Sequence, residues 1–214
     1  MRASKTLTLA LAAVATIAAS VGVSAHRMDE YLQAARFGID PDRVELQLDL
    51  TPGVAIIDSI VSEIDRNNDG TISSIERDAY VGAVLADLAL SLDGRALRLE
   101  PAASAFPDVD ALRRGEGVIQ LRATAPLSHV SNGVHSLAFK NMHRRNLSVY
   151  LANALVPSDD RVAINAQRRD EAQSDLTIEY TLRGNTASRK PLWPLGLFAA
   201  MAALSVVLIR PLLN

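Results

Sequence analysis

Six residues able to offer oxygen fall within the twelve-residue stretch Asp65 to Glu76, DRNNDGTISSIE. A hard cation such as Ca²⁺ takes about six to eight oxygens, and a loop of this length supplies them from positions 1, 3, 5, 7, 9 and 12. Those positions hold Asp65, Asn67, Asp69, the backbone carbonyl of Thr71, Ser73 acting through a water, and Glu76. The sharp turn at position 6 resists a Cβ, and Gly70 stands there. Glu76 reaches further than an Asp and can bind with both oxygens. Ile72, at position 8, is apolar and can form a short strand bridge or pin the loop to a core. A surface turn that binds nothing would also be rich in Asp, Asn and Gly. It would not ordinarily carry a Glu seven residues after the central Asp with apolar helices on both sides.

The flanks are of the kind needed to position such a loop. Ile57, Ile60, Val61 and Ile64 recur at i, i+3, i+4 and i+7, which predicts a helix ending at the first donor. Tyr80, Val81 and Val84 mark one face of an exiting helix, although Arg77 stands where a further apolar residue would be usual. Over about residues 54–88 the pattern resembles an EF-hand, and the resemblance implies Ca²⁺ as the bound ion. Three carboxylates beside neutral Asn67 and Ser73 imply a dissociation constant of about 10⁻⁵–10⁻³ M.

The two ends of the chain carry membrane signals. Met1-Arg2-Ala3-Ser4-Lys5, an apolar run from Leu7 to Val23 and the small-residue end Val23-Ser24-Ala25 predict a signal peptide over 1–25. An uncleaved anchor is the alternative; the many Ala, Ser and Thr favour cleavage. Leu192 to Ile209 has no charge, and at about 1.5 Å per residue it matches a bilayer core. Arg189 and Lys190 precede it, Trp193 lies at its mouth and Arg210 follows it. A single C-terminal transmembrane helix at about 192–209, within an anchor over 188–214, is therefore expected. The body would face the periplasm, held in the inner membrane. A buried core helix is the competing reading. With no cysteine there is neither a disulfide nor thiol chemistry, and a net charge of −2 without a basic stripe argues against nucleic acid.

Residues 26–187 suffice for one domain. Val44, Leu46, Leu48 and Leu50 alternate with polar residues, as a half-buried strand does, up to Thr51-Pro52-Gly53. Tyr31 to Ile39 reads as its hairpin partner. Leu88–Leu92 and Ala96–Leu99 flank Asp93-Gly94, a strong hairpin signal. Further strands are predicted at Val118–Ala123, Val134–Lys140, Ser148–Val156, Arg161–Ala166 and Leu176–Leu182, with Pro101–Gly117 as a loop. The fold class expected is mainly β. It is an antiparallel β-sandwich with the helix–loop–helix inserted between its second and third strands. No internal repeat is present, and Asp108-Val109-Asp110 lacks the glycine of a second loop. Ile72 should therefore pack on the sandwich or pair with a second copy of the chain.

Cleavage after Ala25 would leave His26 at the mature terminus, where amine and imidazole together chelate Cu(II) or Ni(II). His129, His135, His143, Met28 and Met142 are conceivable further ligands, but the three internal histidines show no ligand spacing. Asn146-Leu147-Ser148 matches a glycosylation sequon by chance, and Arg144-Arg145 and Arg168-Arg169 read as solvated loop charges.

Three segments resemble the extracytoplasmic part of HupE/UreJ-type membrane proteins: Ala25 to Leu32, Leu48 to Gly53 and Val149 to Pro157. That family is associated with nickel or cobalt uptake. A chain with one span cannot itself be a multi-span permease, so the resemblance implies an accessory or sensor beside one. No G-x-S-x-G, H-E-x-x-H, phosphate loop or cysteine nucleophile points to an enzyme. The function expected is a membrane-anchored extracytoplasmic calcium-binding module, structural or sensing rather than catalytic. The alternative is an accessory protein for Ni, Co or Cu built on His26. Its partners would be the membrane, a permease or a second copy.

Overall fold

The computed structural model describes residues 29–184. The expected signal, His26, Met28 and the expected span at 192–209 lie outside the described residues. By its contacts the chain divides at Leu182, and the unit beyond, Arg183–Asn214, enters the description only at Arg183 and Gly184. Among the described residues no helix is long and apolar enough to cross a membrane.

The chain is mainly β. Strands β1 (Tyr31–Ile39) and β2 (Arg43–Pro52) form an antiparallel hairpin pairing Tyr31 with Pro52 and Ile39 with Val44. Their burial alternates residue by residue, as the two-residue period of a strand requires. Next come helices α1 (Ile57–Ile64) and α2 (Ser74–Ala86), then β3 (Leu88–Leu92), β4 (Arg95–Leu97) and β5 (Glu100–Ala105). A short helix, α3 (Val109–Arg113), leads to β6 (Ile119–Pro126) and β7 (Gly133–Asn141). Strands β8 (Ser148–Ala154), β9 (Val162–Arg169) and β10 (Asp175–Leu182) complete the described chain. They make two five-stranded sheets, ordered β5-β6-β2-β1-β8 and β4-β3-β7-β10-β9.

One apolar cluster takes side chains from both sheets and from all three helices. Phe37 of β1 and Phe139 of β7 meet inside it with ring centroids 4.7 Å apart. The helix pair is held by the same cluster. Ile57, Ile60, Val61 and Ile64 of α1 are all buried, as are Tyr80, Val81 and Val84 of α2. Each such side chain removed from water contributes about 1.5–3 kcal/mol. The β3–β4 turn at Asp93-Gly94 has φ of 49° and 78°, the two positive values of a type I′ hairpin turn.

Several expectations need correction. The sheets are not wholly antiparallel: β8 runs parallel to β1, with Tyr31 opposite Ser148 and Phe37 opposite Ala154. Pro101–Gly117 is not simply a loop, because β5 pairs with β6 and Asp108 caps α3 by accepting from the Ala111 N–H at 2.6 Å. Side chains of β9 reach two backbone groups on the free edge of β8. The Arg169 Nε donates to the Ala152 carbonyl at 2.6 Å, and the Ala154 N–H donates to Gln167 at 3.0 Å. These two bonds occupy part of an edge that would otherwise be open to a foreign strand.

Candidate metal centre

The loop between α1 and α2 begins where α1 ends. Asp65 is the residue after the last helical turn, and its N–H still donates to the Val61 carbonyl. Its side chain is buried, at 2% exposure. One carboxylate oxygen accepts from the Asp69 N–H at 3.1 Å and the other from the Gly70 N–H at 2.9 Å. Asn67 also accepts from the Asp69 N–H, and its amide donates to Asp69 at 2.7 Å. Asp69 accepts from the Thr71 N–H at 2.8 Å and its hydroxyl at 2.6 Å. The chain turns through Gly70 at φ 81°, in the left-handed region that glycine enters without steric penalty.

Glu76 closes the loop. It is buried at the third position of α2, and one oxygen reaches back to the N–H groups of Arg66 and Asn67 at 2.9 and 3.4 Å. Its other oxygen accepts from the Ser73 N–H and hydroxyl at 3.0 and 2.7 Å. Ser73 accepts in turn from the Glu76 N–H, which makes a capping box at the start of α2. So Glu76 both caps the helix and spans the loop. The Ser73 hydroxyl, expected to reach a cation through water, serves the cap.

Hydrogen bonds favour the charged form of two of these acids, Asp69 and Glu76. The Ser73 hydroxyl is the largest influence drawing the Glu76 pKa down, and the Thr71 hydroxyl does the same for Asp69. Among the described residues, no ion pair joins Asp65, Asp69 or Glu76 to a basic side chain. Asp65 therefore rests on backbone N–H groups, and Glu76 on backbone N–H groups and the Ser73 hydroxyl, with no basic side chain paired to either. Buried charge is unfavourable without a partner.

The six predicted donors, Ser73 among them, share one loop, but their acids are not gathered on one point. Among the described residues no three His, Cys, Asp or Glu side chains are grouped closely enough to hold a metal ion. The same holds for the histidines. His135 has both ring nitrogens engaged, by Asp93 at 2.8 Å and the Ser131 carbonyl at 2.7 Å. His143 has Nδ1 on Asp87 at 2.8 Å, and its buried Nε2 has no partner. His129 sits on the β6–β7 connection with φ 53°. Ile72 forms no strand and packs, half-buried, against the domain's own core.

Sequence reasoning did not anticipate how the helix pair is tied to the sheets. The Tyr80 hydroxyl of α2 meets that of Tyr31 on β1 at 2.6 Å, and His143 packs edge-on against both rings. Asp87, which caps the end of α2, holds His143, and Glu63 of α1 pairs with Arg144. Gln33 braces the same segment by donating to the His143 carbonyl at 2.9 Å and accepting from Asn141 at 2.9 Å. One signal was available: Gln33 is a polar residue at an inward position of an otherwise apolar strand face. The segment Met142–Leu147 thus touches both helices that flank the loop.

Comparison with known proteins returned no matching family model, no matching curated protein and no matching solved structure.

Proposed function

We propose that the loop Asp65–Glu76 is an EF-hand-type calcium site and that the protein is a binding module, structural or sensing rather than catalytic. The observation that carries this is the uncompensated acid pair, Asp65 and Glu76, buried at the two ends of a loop with oxygen donors at the required spacing. A cation supplies the missing positive charge. Asp65, Asn67, Asp69, the Thr71 carbonyl and Glu76 would hold it. We read the two sheets as a β-sandwich, with Phe37 and Phe139 meeting between its layers. The signal over 1–25 and the apolar run at 192–209 support a periplasmic body anchored in the inner membrane, where calcium is available to a weak site.

Isothermal titration of the full-length chain with millimolar CaCl₂ tests this. Saturable heat near one ion per chain, lost in Glu76→Gln, is the expected result. No heat in the wild type overturns the assignment.

A further inference from the structure

A slot of 790 Å³ opens between the outer side of α2 and the β4–β5 segment. That volume lies in the range of small-molecule sites, about 300–1,000 Å³. Strand β4 ends one sheet and β5 ends the other, so the slot lies where the chain crosses between sheet edges. Leu85, Leu88, Leu97 and Leu99 line it, each half-buried and packed on the main core, with Pro101 beside them. They give the slot its apolar side.

Gly82 faces the slot from the middle of α2. Glycine is the least favourable residue for a helix interior after proline. Packing does not ask for it here, because a Cβ at Gly82 would meet nothing within 4 Å. The slot is open against this turn of the helix. Two charged groups also line the slot. Arg98 is exposed and, among the described residues, has no ion pair or hydrogen bond. Asp78 is the one acidic side chain there, on the helix wall. An anion is drawn to Arg98 and turned away from Asp78.

We infer that the slot binds an amphiphile with a single alkyl chain and an anionic head, the chain lying on the leucines against Gly82 and the head on Arg98. The slot and the calcium loop share α2 but no residue, so the assignment stands apart from the cation.

The chain has no cysteine, so Ser104→Cys at the rim gives one thiol for an environment-sensitive dye. Dodecanoate, added to the labelled full-length chain below its micelle concentration, should shift the emission saturably. Gly82→Leu should abolish the shift by filling the slot, and Ala102→Leu should do so from the opposite wall. Melting curves establish that both variants are folded. Arg98→Gln should weaken dodecanoate about tenfold and leave dodecanol unchanged. The proposal is overturned by an unsaturable wild-type response, or by an equal response in folded Gly82→Leu and Ala102→Leu. It is overturned too if Arg98→Gln weakens the acid and the alcohol alike or weakens neither.

Discussion

If a cation neutralises the buried acids of the loop, calcium and folding must be linked, and Asp65→Asn separates the ion from the hydrogen bonds. The wild-type carboxylate takes the Asp69 N–H on one oxygen and the Gly70 N–H on the other. An amide of the same shape has one oxygen, so one N–H loses its acceptor. At a site as buried as this that costs about 1–3 kcal/mol, with or without calcium. Calcium adds a second term. With a dissociation constant of about 0.1 mM and about 1 mM free ion, binding stabilises the folded state by about 1.4 kcal/mol. For a domain of this size that moves the wild-type Tm up by about 3–6 °C over its value in chelator. Asp65→Asn should melt lower in both buffers, and its two melting temperatures should coincide within about 1 °C. Differential scanning calorimetry in CaCl₂ and in EGTA gives all four numbers. An equal calcium shift in wild type and variant would refute the reasoning, since the ion would then act elsewhere. So would a wild-type shift matched by magnesium, which demands shorter bonds and stricter octahedral geometry.

Three further outcomes follow from the structure. Burial of the His135 ring pulls its pKa down, but the Asp93 hydrogen bond, the Ser131 carbonyl and the Asp93 charge together raise it above its ordinary value. Its contribution to stability is full below the unfolded value of about 6.5 and is lost as pH rises through the raised folded value. Urea midpoints across that window should fall more steeply in wild type than in His135→Gln, and parallel profiles would contradict this. Phe139→Ala removes the ring that meets Phe37 at 4.7 Å and should destabilise by about 3–5 kcal/mol in urea melts. Asp108→Ala removes the α3 cap and should cost about 1 kcal/mol in the same melts, with no change in calcium heat.

The parts legible in the sequence were those with a period or a spacing. Alternation placed β1 and β2 because every second side chain of each faces the core. The i, i+3, i+4, i+7 pattern placed α1 for the same kind of reason. Strand β5 went unseen because EPAASA has small or polar side chains and lies largely exposed, so no alternation marks it. Helix α3 has five residues, too few for a helical period to show. The parallel pairing of β8 was not readable, because alternation tells which face is buried and not which strand lies alongside. In the loop the spacing of the oxygen-bearing residues was legible, and it is their proposed role as donors that rests on that spacing. Their present partners were not, because Ser73 and Glu76 satisfy two patterns at once, a cation loop and a capping box. Both patterns ask for the same residue types.

Strand β1 emerges first from any machinery that handles the chain amino end foremost, yet its neighbour on one side is β8. The Tyr31–Ser148 pairing means that more than half the polypeptide must appear before that flank is occupied. Until then β1 can zip only with β2. Assembly should therefore lag behind delivery, since loop closure over such a length slows folding. A product cut short before Ser148 should expose the bare rim of β1 to rescue or degradation.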